Sequence, residues 1–247
     1  MYYELDGFYQ NHRRFVNSVN WRQILGTKVN PDDLSSCAPF DINKEGKMFL
    51  PCGAMANSLF SDRFYLFYTN GSQSFPVTAT DQGIAWPDDI NRKYGHLTDE
   101  SFDNTVKPLN WTFSERERTK EPFKTDEALM IWMRPALTSN FRKLYKRVLH
   151  NQLTFLEKSL PAGQYRLEIA INYPVQDFGG RKAFVIANTG FFGSSSKVYP
   201  ITSVVLGSIH FMLGIIFAVL PLVTKRKGRL QEEADSYSMD VGPRVQV

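Results

Sequence analysis

The groups in this chain that could do chemistry are few and stand apart. Asp88 and Asp89 are adjacent carboxylates. Two carboxyls work as an acid–base pair only when they converge on one reacting centre, and neighbouring residues on a loop or strand point to opposite sides. The pair therefore reads as a solvated turn. His12, His96, His150 and His210 are isolated from one another in sequence. No GxSxG elbow, HExxH helix, phosphate-binding loop or GxGxxG turn occurs. The expectation is a protein that is not an enzyme, with no catalytic residue, metal ligand or cofactor.

Cys37 and Cys52 are the two cysteines. In an oxidising compartment they would pair, closing a loop of about 15 residues worth roughly 3 kcal/mol in the chain-entropy picture. In a reducing one they would be two structural thiols. With no second pair at metal-ligand spacing, zinc is not expected. Asn70-Gly71-Ser72 and Asn110-Trp111-Thr112 are N-glycosylation sequons in polar, turn-like surroundings.

Ile201 to Val223 carries no Asp, Glu, Lys or Arg. At about 1.5 Å rise per residue, roughly 20 apolar residues cross the hydrocarbon core, so this stretch reads as a transmembrane helix. Lys225, Arg226, Lys227 and Arg229 follow at once, and only Lys197 stands close on the other side. The positive-inside rule puts residues 224–247 in the cytosol and residues 1–200 in the lumen or outside. The opening residues hold no apolar signal region. Either an upstream signal is missing from this sequence, or the span inserts as a tail anchor with the large region cytosolic. At about 100° per residue, Ser203, Gly207, His210, Gly214, Ala218 and Pro221 share one face. Small residues let helix backbones approach closely in lipid, and an ionisable group at that depth prefers a protein partner. This face is expected to pack on another membrane helix.

The elements that place these residues follow from period and punctuation. Phe8, Tyr9, His12, Phe15 and Val16 predict a short helix over 7–18. Residues 30–53 read as loop, and Arg63 to Thr69 as an aromatic strand ending at the Asn70-Gly71 turn. Leu137, Phe141, Leu144, Tyr145, Val148 and Leu149 form a helical stripe opposite Arg142, Lys143, Lys146 and Arg147, capped by Thr138 or Ser139. Tyr165, Leu167, Ile169, Ile171 and Tyr173 alternate as the core face of a strand, paired in a hairpin with Arg181 to Ala187. Aromatic content of 14% suits a β-rich core. The fold class expected is a mainly antiparallel, sandwich-like β ectodomain with a few helices, plus one C-terminal transmembrane helix. Net charge is +4, but the basic residues are scattered except beside the span. That favours membrane lipids as a contact and gives no support to nucleic acid.

Several blocks together resemble one known family, the cell-cycle-control protein 50 or ligand-effect modulator family. These are accessory β-subunits of type IV P-type ATPases, the phospholipid flippases. GFYQNHRRFVNS (7–18) looks like the stretch after that family's first membrane helix. CAPF (37–40) and PCGAMANSLFSD (51–62) resemble its cysteine-bounded loop and the block beyond. GIAWPDDINRKY (83–94), IWMRPALTSNFRKLYKRV (131–148) and LPAGQYRLEIAINYPVQDFGGRKAFVI (160–186) match further blocks in the same order. The resemblance implies a glycosylated antiparallel β ectodomain between two membrane helices. It implies a heterodimer with the ATPase catalytic subunit, assisting that subunit's folding, export from the endoplasmic reticulum and transport. It further implies residence in the endoplasmic reticulum, Golgi, secretory vesicles or plasma membrane. Three departures stand out. The sequence starts where the first membrane helix would end, a second cysteine pair is missing, and Glu168-Ile169-Ala170 replaces a sequon common in relatives. The alternatives are a family variant that fails to assemble, or a stand-alone single-span adhesion or receptor ectodomain.

Overall fold

The computed structural model describes residues 1–150, 159–190, 193–194 and 198–240. In chain order its elements are β1 (Tyr2–Asp6), α1 (Arg13–Asn17), α2 (Trp21–Ile24), β2 (Met48–Phe49), α3 (Ala54–Asn57), β3 (Arg63–Asn70), β4 (Gln73–Pro76), β5 (Ala79–Thr80), β6 (Thr105–Val106), α4 (Glu115–Arg118) and α5 (Glu127–Trp132). There follow β7 (Phe141–Leu144), β8 (Arg147–Val148), β9 (Gln164–Ala170), β10 (Arg181–Val185), β11 (Thr189–Gly190), β12 (Gly193–Ser194) and α6 (Val198–Asp240). They fall into two units, Met1–Ala187 and Asn188–Val247.

The first unit is built on two three-stranded antiparallel sheets, ordered β10-β1-β7 and β4-β3-β9. Their facing side chains meet in one aromatic core. Tyr3 stacks on Phe60 at 4.0 Å, Phe64 lies 4.8 Å from Phe184, and Trp132 is fully buried. Two short pairs, antiparallel β5–β8 and parallel β2–β6, complete the described ladders of this unit. The architecture is thus strands in mainly antiparallel sheets with a few short helices, as the composition suggested.

Cys37 and Cys52 are joined by a disulfide across a sequence separation of 15. The enclosed stretch is more ordered than a plain loop. It holds a 3-10 helix at Pro31–Cys37, started by Asn30, and the strand β2. Gln23, buried beneath it, donates to the Phe49 carbonyl and accepts the Cys52 N–H. Gly53 follows with φ of 99°, and a Cβ there would lie 2.1 Å from the Ser18 carbonyl oxygen, so only glycine lets the two segments close.

Three expected elements are replaced. The basic helix over 137–149 does not form. Phe141–Leu144 instead pairs with β1 and Arg147–Val148 with β5. Phe141 and Lys143 point inward and Arg142 outward, so the stretch also reads with period two, and a waiting edge on β1 decides between the two periods. Thr138 donates to Asn140 and the Ser139 carbonyl accepts from Phe8, so neither caps a helix. The hairpin of β9 with β10 is absent too: β9 joins β3 and β10 joins β1. A 3-10 turn at Val175–Phe178, ended by Gly179 in the left-handed region, swings the chain from one sheet to the other. Ile169 and Ile171 are correspondingly exposed rather than core. The N-terminal helix shrinks to α1, and Tyr9 faces solvent.

In the second unit α6 is one continuous helix, with Pro221 inside it. Tyr199–Ser236 is long enough to cross a membrane and contains an 18-residue window of mean hydropathy 2.3. The helix does not break at Val223 but runs on through the basic residues 225–229. Residues 241–247 of the expected tail lie outside the described residues, as does Lys197.

Candidate functional site

A groove of about 1120 Å³ lies between the outer face of β3 and β9 and the segment carrying α4 and α5. Arg63, Tyr65, Asn110, Phe113, Lys120 and Asn172 lie along it. Its carboxylates are committed to local structure. Glu117 accepts from the Ser114 N–H at 2.6 Å and hydroxyl at 2.7 Å, which holds its carboxyl below the usual range. Glu127, nearly buried, accepts three successive backbone N–H groups, Gly83 at 2.8 Å, Ile84 at 2.6 Å and Ala85 at 2.7 Å. Asp126 caps α5 through the Leu129 N–H and holds Arg118 at 2.6 Å. The cap is legible in the sequence as Asp before EALMIW; the Glu127 contact, 42 to 44 residues away, is not.

Behind Asp126 sits fully buried Glu115, whose Oε1 accepts from the Phe123 N–H at 2.8 Å while its Oε2 has no hydrogen-bond partner. Arg118 approaches that oxygen at 3.5 Å but is already bound to Asp126. Burial first, then the Asp126 charge, pushes the Glu115 carboxyl up to about 8, against the pull of Arg118. One guanidinium faces two buried carboxyls, so Glu115 keeps its proton at neutral pH.

The carboxylate pair Asp88 and Asp89 does point apart, but not as a solvated turn. Asp88 is exposed and paired with Arg92, whereas Asp89 is buried between Lys93 at 3.1 Å and Arg134. Burial alone would raise Asp89; hydrogen bonds from Arg134 and Lys93 overcome it and hold the carboxyl below the usual range. Lys143 is buried as well, donating to the carbonyls of Ile131 and Trp132 at 2.8 Å, and to Arg134. It closes the C-terminal end of α5, though burial pushes its ammonium down to about 7. Asp62 fixes the end of β9, accepting from Asn172 and Tyr173 while paired with Lys182 at 2.6 Å. Apart from Arg92 and Lys93, four residues on from Asp88 and Asp89, these partners lie nine or more residues away, beyond the reach of a local spacing rule.

Both sequon asparagines are on the surface. Asn70 ends β3 at the hairpin turn, beside Gly71 with φ of 59°. Asn110 stands on the groove rim, its backbone held by Asn57, while Trp111 is buried and donates to the Ala56 carbonyl at 2.7 Å. On α6 the face of Ser203, Gly207, His210, Gly214 and Ala218 is exposed throughout, and a Cβ at Gly207 or Gly214 would meet nothing within 4 Å. His210 Nδ1 donates back to the Leu206 carbonyl at 2.8 Å, so its other ring nitrogen is turned outward. Among the described residues no cluster of three metal-ligating side chains occurs.

Comparison with known proteins gives the family: the LEM3 (ligand-effect modulator 3) family / CDC50 family profile matches residues 1–227, and the chain belongs to it. The chain is 37% identical to cell cycle control protein 50A of Bos taurus, over 89% of this chain and 63% of that protein. It is 40% identical to the phospholipid-transporting ATPase accessory subunit CDC50 of Chaetomium thermophilum, over 87% of this chain and 54% of that protein. Cell cycle control protein 50B of Homo sapiens is 34% identical, over 89% and 65%. The chain therefore spans less than two thirds of the length of these relatives.

Proposed function

We propose that this chain is a non-catalytic accessory subunit of a type IV P-type ATPase that moves phospholipid, joined to the catalytic subunit as a heterodimer. The observation that carries the reading is membership of a family that includes a protein named as a phospholipid-transporting ATPase accessory subunit. In this reading Met1–Ala187 is lumenal or extracellular, α6 crosses the bilayer at Ile201 to Val223, and the basic residues that follow face the cytosol. Asn70 and Asn110 carry N-glycans. The strip of Ser203, Gly207, His210, Gly214 and Ala218 packs on a second membrane helix. The subunit assists folding of the ATPase and its exit from the endoplasmic reticulum, and the complex works in the Golgi, secretory vesicles or plasma membrane. The commitment of the groove carboxylates to backbone groups and caps supports a non-catalytic role.

Two experiments test the reading. Affinity purification of the tagged chain from cells expressing a type IV ATPase should recover that ATPase and raise its share outside the reticulum. Recovery no better than with an unrelated single-span protein refutes the partnership. Glycosidase digestion should increase gel mobility in two steps, abolished one at a time by Asn70→Gln and Asn110→Gln. An unshifted wild-type band refutes the lumenal placement.

A further inference from the structure

Among the described residues four strands border the two three-stranded sheets: β4 and β9 one, β7 and β10 the other. A border strand leaves a row of backbone N–H and C=O groups open to a further strand. Three of the four discourage such pairing. β4 has four residues and ends in Pro76, which has no N–H to donate. β7 and β10 have four and five residues, and their charged side chains are all basic. β9 differs. It is seven residues long, carries one charge of each sign, and has β3 as its one neighbour among the described residues.

The two faces of β9 follow from its register with β3. Tyr165, Leu167 and Ile169 stand opposite Tyr68, Leu66 and Phe64, on the core side. Arg166 and Glu168 stand opposite Phe67 and Tyr65, on the outer side. At the open border the core side is incompletely covered, and Ile169 is 45% exposed. On the outer side Arg166 and Glu168 meet at 3.1 Å within the strand, and both side chains are more than half exposed.

A second copy of the chain presents the same strand, so the fit of β9 to itself can be worked out residue by residue. In an antiparallel pair that keeps core side with core side, the centre of symmetry falls on a residue. Leu167 is the midpoint of Gln164–Ala170, so a pair centred there joins all seven residues. It sets Arg166 opposite the second copy's Glu168, and Glu168 opposite its Arg166. It also sets Tyr165 opposite Ile169, an aromatic–β-branched pair on the side that is short of cover. Moving the centre to Arg166 or to Glu168 instead places like charges directly opposite, which is unfavourable.

We propose that β9 is a self-complementary border through which two copies of this chain pair, antiparallel and two-fold, into one six-stranded sheet of order β4-β3-β9-β9-β3-β4. One seven-residue ladder is smaller than the interface of about 1,200 Å² that a stable complex needs, so the pair is reversible and concentration-dependent. The proposal draws neither on the ATPase reading nor on α6.

The native disulfide leaves no free cysteine, so added cysteines report the register. Gln164 and the second copy's Ala170 would be directly opposite on the exposed outer side, at a Cα separation of about 4.5–5.5 Å that a disulfide spans. Full-length Gln164→Cys and Ala170→Cys chains with different tags would be mixed in detergent over a range of concentrations and oxidised with copper phenanthroline. The mixed-tag disulfide should form and increase with concentration. Gln164→Cys alone should link little, because its two cysteines would stand about 20 Å apart along the ladder. Adding Glu168→Arg to both chains should lower the mixed-tag yield at least about fivefold, since two attractive pairs become repulsive; Arg166→Glu in both should do the same. Glu168→Arg in one chain with Arg166→Glu in the other sets opposite charges face to face again and should restore the link, which also shows that the variants fold. Equal yields from the mixed and the single-cysteine samples overturn the proposal. A link that survives the single reversals belongs to some other contact and overturns it too, as does a loss that the mixed reversal fails to rescue.

Discussion

Glu127 offers the sharpest test of how the first unit is held together. Its carboxylate accepts three consecutive N–H groups from residues 83–85, and only 6% of the residue is exposed. Glu127→Ala would leave these donors without a partner. The Ile84 N–H is fully buried, so it cannot turn to water; those of Gly83 and Ala85 are partly covered. At about 1–3 kcal/mol for a buried donor left unsatisfied, and less for the two that water can reach, the loss sums to about 2–4 kcal/mol. For a chain of this size each kcal/mol lowers the melting temperature by about 2–4 °C, so the midpoint should fall by at least about 4 °C. Glu127→Gln keeps one acceptor oxygen where the Ile84 and Ala85 groups point and turns an amide toward Gly83. It should cost about 1–2 kcal/mol. Glu121→Ala, which removes an exposed carboxylate facing His96, should change stability by less than about 1 kcal/mol. Thermal unfolding of the detergent-solubilised full chain, followed by tryptophan emission, measures all three. Glu127→Ala within about 0.5 kcal/mol of wild type, or Glu127→Gln as damaging as Glu127→Ala, would refute the reasoning.

Three further outcomes follow from the same geometry. Replacing both Cys37 and Cys52 by serine should cost about 3 kcal/mol through a loop of 15 residues; a reducing agent should lower the wild-type midpoint and leave the double variant unmoved. Glu115 should make stability fall with rising pH. Its folded carboxyl is raised to about 8 by burial and by Asp126, so the native state holds a proton that the unfolded chain gives up. That contribution is fully present below the unfolded value near 4.5 and is lost as pH rises through about 8. Glu115→Gln, always neutral, should flatten denaturation midpoints between those limits, and an unchanged slope would reject the assignment. Trp132→Phe breaks the 2.8 Å bond to the Met55 carbonyl and leaves a void in the core, with an expected loss of about 2–4 kcal/mol in denaturant unfolding.

What could be read in advance depended on whether the deciding partner was near in sequence. The apolar run in α6 was legible because lipid demands an unbroken stretch with no help from elsewhere. The strand at Arg63–Asn70 was legible because its aromatic pattern and its Asn-Gly turn are contiguous. Residues 141–148 were not. Their apolar spacing fits both periods, and β1, some 140 residues earlier, supplies the edge that selects the strand. The missing hairpin fails for the same reason. Adjacency favoured β9 with β10, but β3 offers β9 a longer register, from Arg63 opposite Ala170 to Thr69 opposite Gln164.

The buried charges sharpen this contrast. Asp62, Asp89, Glu115, Glu127 and Lys143 are all largely inaccessible, and an isolated buried charge is costly enough that each must have an answer. The answers here are N–H groups, carbonyl oxygens and single opposite charges from distant segments, with protonation at Glu115 where the opposite charge runs short. Such contacts tolerate little displacement, because moving either segment strands a polar group away from water. They therefore fix loops that the small sheets could not hold alone: residues 83–85 through Glu127, the end of β9 through Asp62, and residues 131–134 through Lys143. The last of these carries Arg134 to Trp86 and leads straight to Leu137. The rigidity of these loops thus comes from buried polar contacts between segments distant in sequence.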